Sequence, residues 1–195
     1  MLPVRAWRNA LRERREGLWT DVNWHLLVAE RGSEVVAAAS GSYLGNVNVG
    51  IVGYIAVRPD ARKLGLGPRM RAALRNKLEI DARGSGHTAL GAIVGEVSRH
   101  NPWLRNLVRR EGAIALDFPY YQPSLGSKHD PVPFVLYYQP LTSSRQSLSA
   151  NELRRLLYTM WRRSYRIARP LSHRAFRRML RSLTGRRRVG QMDFD

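Results

Sequence analysis

The chain has 195 residues, 44% of them hydrophobic, which is enough for one buried core with a small extension. It contains no cysteine, so disulfides and thiolate metal sites are excluded, and we expect a cytoplasmic protein. The net charge of +18 predicts an acidic partner, and residues 141–195 hold +11 of it, as 14 basic minus 3 acidic residues. Thirty of the 33 basic residues are arginine, a skew that a GC-rich genome also produces without selection for binding. No run approaches about 18 apolar residues, so no membrane span is expected.

The N-terminal part of the chain predicts a helix followed by an antiparallel meander. Residues 5–18 carry apolar side chains at near-helical spacing among arginines, which favours an amphipathic helix. Three strands, separated by glycine-containing turns, are predicted at residues 24–29, 34–42 and 49–57. The third is a nearly unbroken apolar run, typical of a central strand buried on both faces, and it ends before Pro59.

The middle of the chain predicts two helices and three more strands. The first of these helices begins at Pro68, and its apolar face comprises Met70, Ala73, Leu74 and Leu78. The next covers residues 101–110 and stops at Gly112. Strands are predicted at residues 89–97, 113–121 and 132–138, with a Pro-, Gly- and Ser-rich loop at 122–133. We therefore expect an α/β fold with a mixed, mostly antiparallel sheet and flanking helices.

The composition changes near residue 142, where Ser143-Ser144 indicates a linker. Residues 149–152 form a capping box, and the helix that follows has a predicted buried stripe of Leu153, Leu156, Leu157, Met160, Trp161, Ser164 and Ala168. A second amphipathic helix at about residues 172–183 completes a basic helical hairpin, and residues 186–195 are expected to fray. We predict a domain at 1–142 and a basic C-terminal helical extension at 143–195.

The extension admits two kinds of partner. Its apolar stripe favours packing against the domain or against a second subunit, in a homodimer formed through the C-terminal helices. Binding to nucleic acid or to an anionic surface is the alternative, and no nucleic-acid motif supports it.

One segment carries a recognisable chemistry, and it reads Val57-Arg58-Pro59-Asp60-Ala61-Arg62-Lys63-Leu64-Gly65-Leu66-Gly67-Pro68. Backbone amides at a helix N-terminus carry partial positive charge, and glycines let a bulky anion approach the main chain, so the segment suits a pyrophosphate. No Lys-Ser or Lys-Thr follows the second glycine, which argues against a Walker loop, and Met70 replaces the third glycine of the dinucleotide fingerprint. The alternative is a tight turn that needs glycine for geometry alone.

The same segment resembles the pyrophosphate loop of the GNAT superfamily, in which Arg or Gln is followed by two residues, Gly, one residue, and Gly or Ala. Arg62, Gly65 and Gly67 match that pattern. The resemblance extends over about residues 24–140 and includes Asn101 with Gly112 eleven residues later. It implies acetyl-CoA as co-substrate, with Asn101 near the coenzyme. The implied contacts are Ile55, Ala56 and Val57 for the pantetheine arm, and Arg62, Lys63, Leu64, Gly65, Leu66 and Gly67 for the phosphates.

Three features depart from the family pattern. Many members carry a tyrosine seven residues after the asparagine as general acid toward the departing thiolate, and Val108 at that position cannot donate a proton. Ala113 replaces the aromatic residue of the family's Gly-Phe pair. Little sequence precedes Trp24, so we expect the opening strand to be missing or displaced and the N-terminus to be shortened.

Glu96 and Tyr121 are the candidate catalytic residues. A general base toward an amine needs a pKa near the operating pH, and Glu96 lies near the end of a strand that flanks the expected coenzyme cleft. Tyr120 or Tyr121 supplies the missing acid if their strand folds back over that cleft. The alternatives are a surface charge for Glu96 and packing for at least one tyrosine. The five histidines show no metal-ligand spacing, so we expect no metal.

The resemblance therefore implies an N-acetyltransferase that moves the acetyl group of acetyl-CoA to an amine of a small molecule or a protein. The family transfers it directly in a ternary complex, and no cysteine is present to form a covalent intermediate. The alternative is a catalytically inactive protein on the same fold that binds acetyl-CoA or nucleic acid.

Overall fold

Two compact units, residues 1–90 and 91–195, make up the chain. The computed structural model describes residues 4–18, 22–123 and 131–194, so part of the predicted loop at 122–133 lies outside the described residues. The fold is of the expected α/β class, with mostly antiparallel pairing and flanking helices. Among the helices of these ranges, none has the length and apolarity that a bilayer crossing requires.

The first unit is a helix, a three-stranded meander and a second helix. Its elements are α1 (Val4–Arg15), β1 (Val22–Arg31), β2 (Glu34–Leu44), β3 (Val49–Val57) and α2 (Leu66–Gly84). β2 pairs antiparallel with both β1 and β3, which confirms the predicted meander. Short 3-10 turns follow β2 and β3, at Gly45–Val47 and Pro59–Ala61.

Helix α2 packs closely on the meander because two glycines leave room for its leucines. A Cβ on Gly41 would lie 2.4 Å from the Ile51 carbonyl oxygen and 3.0 Å from a Leu74 methyl. A Cβ on Gly50 would lie 2.6 Å from a methyl of Leu78. Both leucines are completely buried, so small residues of the sheet and large residues of the helix together fix the packing.

Two burial predictions for this unit are wrong. β3 is buried only over its first three residues, and Gly53 and Ala56 are exposed. An apolar run that includes glycine and alanine therefore does not require cover on both faces. Ala73 is also exposed, because the buried face of α2 follows the i, i+4 row Met70, Leu74, Leu78 and Ala82.

A polar cluster around buried His25 ties α1, β1 and α2 together. His25 of β1 is 2% exposed, and its Nε2 is hydrogen-bonded to Asp81 of α2. Its Nδ1 lies 2.7 Å from Nη1 of Arg14, which also donates to the Trp24 carbonyl oxygen at 3.1 Å. An arginine can only donate, so Nδ1 is the acceptor and Nε2 donates its proton to the Asp81 carboxylate. Packing therefore uses both ring nitrogens of His25.

The second unit contains six strands and three helices in the described residues. Before residue 124 these are β4 (Ala92–Val97), α3 (Pro102–Glu111), β5 (Ile114–Ala115) and β6 (Tyr120–Gln122). The later elements are β7 (Val132–Pro140), β8 (Ser147–Ser149), α4 (Ala150–Thr159), a π-helical turn (Met160–Ser164), α5 (Arg174–Ser182) and β9 (Arg188–Gly190). β7 pairs antiparallel with β4, β5 and β6, while β8 pairs with β9.

The strand predicted at 113–121 is divided into β5 and β6. The chain between them leaves the ladder near Pro119, which has no N–H to donate. Leu116 bridges instead to Gln191, whose side chain also accepts the Ala115 N–H at 2.9 Å. The expected fraying of residues 186–195 is therefore wrong, since β9 and Gln191 hold the C-terminal end against the unit.

The predicted stop of α3 at Gly112 and the predicted capping box of α4 are confirmed. Asn101 Oδ1 accepts the Trp103 N–H at 3.0 Å and caps α3, which ends at Gly112 with a φ of 66°. Ser149 and Glu152 form the capping box of α4, with hydrogen bonds of 3.2 and 2.8 Å. After the π-helical turn the helix ends, so the predicted stripe is buried as far as Trp161 but not at exposed Ala168.

Candidate functional site

The glycine-containing loop joins β3 to α2 through two left-handed residues. Arg62 is extended, and Lys63 and Gly65 follow with φ values of 65° and 70°. Positive φ is costly for lysine and nearly free for glycine, so Gly65 suits its backbone conformation. Arg62 and Lys63 are both exposed, and Leu64 is 61% exposed. The loop therefore presents its two cations and its main chain to solvent.

Helix α2 begins at Leu66, two residues before the predicted start at Pro68. The first intrahelical hydrogen bond runs from the Arg69 N–H to the Gly65 carbonyl oxygen at 3.3 Å. The amides of Leu66 and Gly67 consequently have no acceptor within the helix. Pro68 is tolerated in this turn because its nitrogen would have had no helical partner either.

Open space surrounds both glycines of the loop. A Cβ on Gly65 or Gly67 would meet nothing within 4 Å. Gly67 also lacks the positive φ that would demand glycine, so turn geometry alone does not account for it. Space, unbonded helix amides and the positive end of the helix dipole together make this a place where an anion can bind.

Carboxylates at the base of the loop pair with two nearby arginines. Arg58 donates to Asp60 and to Glu34, both at 3.0 Å, and Arg31 donates to Asp60 at 2.9 Å. The hydrogen bond from Arg58, followed by that from Arg31, lowers the pKa of Asp60. Arg58 is thus committed to the scaffold, which leaves Arg62 and Lys63 as the exposed cations of the loop.

The strand before the loop offers main chain rather than polar side chains. Ile55 and Val57 are half-buried and Ala56 is exposed, so this end of β3 is accessible. These residues carry no side-chain donor or acceptor, and any polar ligand would meet their backbone.

Glu96 lies in a cluster of hydrogen-bond donors within the second unit. Its Oε1 accepts from the Tyr120 hydroxyl, and its Oε2 accepts from the Tyr165 hydroxyl and from Gln122 Nε2 at 2.5 Å. Tyr120 and Gln122 are two positions apart on β6, and side chains alternate along a strand, so both lie on one face and reach the same carboxylate. Tyr165 follows the π-helical turn after α4.

Burial governs the protonation of this cluster. Loss of solvent raises the pKa of Glu96, although the hydrogen bonds from Tyr120, Tyr165 and Gln122 oppose the rise. Burial and the nearby Glu96 carboxylate raise the pKa of Tyr120 and of Tyr165 well above the ordinary tyrosine value. The two phenols therefore keep their protons and act as donors to Glu96.

The other candidate residues of the second unit lie in different surroundings. Tyr121 is half-buried, with the Arg178 guanidinium 5.2 Å from the centre of its ring and its N–H 3.4 Å from Met179 Sδ. Asn101 is exposed and caps α3. Val108 is half-buried on the same helix. Tyr120, rather than Tyr121, is thus the tyrosine of β6 that contacts Glu96.

Sequence reasoning missed Gln122 and Tyr165. Strand alternation would have paired Gln122 with Tyr120. Tyr165 has no local signal, because it lies 69 residues from Glu96 and the extra residue of a π-helical turn changes the direction of the chain after it.

Within the described ranges, no group of three or more metal-ligating side chains occurs. His129 lies outside those ranges.

Comparisons with known proteins agree with the fold. A model of the acetyltransferase (GNAT) family matches residues 3–110. No curated protein sequence gives a significant match. A structure described as a GNAT-family acetyltransferase from Bacteroides thetaiotaomicron is 17% identical, with 80% of each chain covered and a TM-score of 0.55.

Two further structures have lower TM-scores. A ribosomal-protein-alanine N-acetyltransferase from Brucella melitensis is 19% identical over 72% of this chain and 80% of its own, with a TM-score of 0.48. An acetyltransferase from Salmonella typhimurium with its cofactor acetyl-CoA is 19% identical over 70% and 73%, with a TM-score of 0.45. The Bacteroides structure is the one that supports the shared fold.

Proposed function

Because the chain belongs to the acetyltransferase (GNAT) family, we propose that it is an N-acetyltransferase that uses acetyl-CoA and transfers the acetyl group directly to an amine in a ternary complex. The acceptor amine belongs to a small molecule or to a protein. One observation carries the proposal. At the start of α2, two helix amides without helical acceptors and two glycines in open space follow the exposed pair Arg62-Lys63.

The loop has the features that the pyrophosphate of coenzyme A requires. Residues 62–67 would hold the phosphates through main-chain amides and two cations, and the absence of a side chain at Gly67 leaves room for phosphate oxygens. The backbone of Ile55, Ala56 and Val57 would bind the pantetheine arm, and the family pattern adds Asn101 to the coenzyme contacts. Acetyl-CoA supplies an acetyl group already activated as a thioester.

In the proposed reaction the amine nitrogen forms a bond to the thioester carbonyl carbon, and the carbon–sulfur bond breaks. Glu96 accepts the proton that the amine loses, and Tyr121 donates a proton to the departing thiolate. Burial raises the pKa of Glu96, which makes its carboxylate a stronger base than an exposed one. Tyr121 receives the acid role because Tyr120 and Tyr165 already donate their hydroxyl protons to Glu96.

Three side chains position the base in this proposal. Tyr120, Tyr165 and Gln122 direct their hydrogens at the two oxygens of Glu96. A carboxylate has about four lone-pair sites, so one remains for the amine or for a bridging water. The positioning residues thus set both the direction and the basicity of that remaining site.

Isothermal titration of the full chain with acetyl-CoA tests the coenzyme assignment. We expect saturable binding with an affinity that falls as salt rises, because cations and phosphates attract each other. Absence of binding at millimolar acetyl-CoA would overturn the assignment, and acetylpantetheine, which carries the thioester without the phosphates, serves as the control.

A second candidate function is coenzyme binding without turnover. Two observations favour it, since Val108 stands where the family acid is expected and three donors already occupy Glu96. Release of coenzyme A thiol during incubation with acetyl-CoA and a broad amine panel separates the two functions. Acetyl-CoA binding with amine-dependent thiol release supports the enzyme, whereas binding with no release for any amine supports the inactive alternative.

A further inference from the structure

The exposed face of α5 is a row of four arginines, Arg174, Arg177, Arg178 and Arg181, which we call the α5 arginine stripe. At about 100° of rotation per residue, these positions fall within an arc of about 100° and form one line along the helix. The line is about 10 Å long, because each helical residue rises about 1.5 Å. The opposite face, with Phe176 and Met179, is completely buried.

The charges of the stripe are not compensated within the described part of the chain. There, no hydrogen bond or ion pair involves the side chains of Arg174, Arg177 or Arg181. Arg178 lies over the ring of Tyr121, which is not an anion. Like charges three and four positions apart repel each other on a helix, so the stripe destabilises α5 as long as no anion is bound to it.

Some exposed arginines of the chain have carboxylate partners, since Arg58 and Arg31 pair with Asp60 and Arg83 pairs with Glu79 at 3.3 Å. Others, such as Arg75, stand singly without one in the described residues. The stripe differs because it gathers four arginines on one face of a helix that contains no acidic residue. It is therefore a local concentration of positive charge that suits an external anion.

An anionic membrane is a poor match for the stripe. Helices that bind membranes insert their apolar face among the lipids. The apolar face of α5 is already used, since Phe176 packs on Trp161 with ring centroids 5.0 Å apart and Leu183 is completely buried. The partner must instead offer closely and regularly spaced charges at a surface, as a nucleic-acid backbone does with one phosphate per about 1.7 Å of duplex axis.

We propose that the α5 arginine stripe binds the phosphate backbone of a nucleic-acid duplex. Guanidinium groups form paired, parallel hydrogen bonds to phosphate oxygens, so a line of arginines can follow successive phosphates of one strand. Phosphate contacts carry no sequence information, so the proposed binding does not depend on the base sequence of the duplex.

The test is salt-dependent binding, measured by fluorescence anisotropy with labelled DNA and RNA duplexes of about 20 base pairs at about 50 to 200 mM KCl. We compare the full-length chain with Arg177→Gln/Arg181→Gln, which leaves Arg178 and its contact with Tyr121 intact. The control Arg75→Gln/Lys77→Gln also removes two positive charges, but from exposed positions of α2. A second control, Arg177→Lys/Arg181→Lys, keeps the charge of the stripe, and thermal melts verify that each variant folds.

The proposal expects binding whose logarithm falls linearly with the logarithm of salt. Each phosphate contact contributes about 0.9 to that slope on duplex DNA, so the stripe variant should lose about 1.8. The α2 control and the lysine variant should keep the wild-type slope. Whether DNA or RNA binds more tightly identifies the duplex that is preferred, and either result supports the proposal.

Several outcomes would overturn it. One is the absence of salt-dependent binding to both duplexes. Another is an equal change of slope in the stripe variant and the α2 control, which would mean that net charge alone drives binding. Tighter binding to polyglutamate, or to anionic vesicles, than to either duplex at equal charge concentration would assign the stripe to an acidic protein or to a membrane instead.

Discussion

The two loop glycines meet different demands, and alanine substitutions separate them. Gly65 has a φ of 70°, so Gly65→Ala should lower the free energy of unfolding by about 1–2 kcal/mol. Gly67 has open space and no positive φ, so Gly67→Ala should leave stability unchanged or raise it by up to about 1 kcal/mol. If phosphates bind here, Gly67→Ala should still weaken acetyl-CoA binding by about tenfold, because the added Cβ would displace a phosphate oxygen from the main-chain amides.

Urea unfolding and isothermal titration measure the two effects separately. An unchanged acetyl-CoA affinity in Gly67→Ala would mean that its glycine is unrelated to the coenzyme.

The buried carboxyl of Glu96 should make stability depend on pH. Burial raises its pKa in the folded chain, so the folded state holds the proton to a higher pH than the unfolded state does. The protein should therefore lose stability as pH rises from about 4.3, the ordinary glutamate value, through the raised pKa. Glu96→Gln removes this ionisation, so the unfolding free energy of the variant should rise relative to that of the wild type as pH increases through this range.

Urea titrations at several pH values give the difference in unfolding free energy between wild type and Glu96→Gln. The contributions of all other titrating groups cancel in that difference. A difference that does not vary with pH would contradict the raised pKa. Glu111→Gln, at an exposed carboxyl at the end of α3, is the matched control.

At the scale of elements, the contact between α2 and the meander depends on missing side chains. Gly41→Ala places a Cβ 2.4 Å from the Ile51 carbonyl oxygen, and backbone cannot yield as a side-chain end can. We expect a loss of about 1–3 kcal/mol of unfolding free energy. Gly53→Ala, whose Cβ would lie 3.4 Å from Ser40, should change stability by less than about 0.5 kcal/mol. Equal losses in chemical denaturation would mean that close packing of α2 is not the cause.

The capping box predicts how α4 responds to acid. Burial pulls the pKa of Glu152 upward, but the Ser149 N–H and Arg145 outweigh it and lower the pKa to about 2. Stability from this carboxylate is thus present above about pH 4.3 and is lost as pH falls toward the folded value. Glu152→Gln should flatten that loss, as followed by helical circular dichroism.

Removal of the cap itself acts at neutral pH. Ser149→Ala should cost about 1 kcal/mol of unfolding free energy, because the Glu152 N–H loses its acceptor. Ser144→Ala, at an exposed position of the preceding linker, should cost nothing measurable. Equal effects of the two substitutions would remove the cap as the explanation.

At the scale of the whole molecule, residues on the C-terminal side of the division predicted at residue 142 contribute to the buried core. Residues beyond it supply Tyr165 to Glu96 and many completely or almost completely buried side chains: Leu148, Leu153, Leu156, Leu157, Met160, Trp161, Phe176, Met179, Leu183 and Val189. Burial of one such side chain stabilises by about 1.5–3 kcal/mol, against a typical total of about 5–15 kcal/mol. A fragment of residues 1–142 should therefore lack a cooperative thermal transition.

Near-ultraviolet circular dichroism of that fragment is the measurement. A sharp melt near the wild-type temperature would show that the extension is dispensable for folding. The homodimer through α4 and α5 and the cytoplasmic location stay predictions, and analytical ultracentrifugation of the full chain tests the first.

The sequence by itself determined the features that depend on a few neighbouring residues. The meander, the stop of α3 at Gly112, the capping box at Ser149, and the loop with Arg62, Gly65 and Gly67 follow from local hydrogen bonds and from conformational limits on glycine and proline. Such interactions span only a few positions, so residue order is enough to specify them.

Tertiary structure decided which distant side chains meet. It brought Tyr165 to Glu96 across 69 residues, joined Gln191 to the edge at Leu116, and left the second half of β3 partly uncovered. No periodicity encodes these outcomes, because they depend on how the buried faces of separate elements fill one another's space. The candidate coenzyme loop was therefore readable from the sequence, whereas the partners of its candidate base were set by packing.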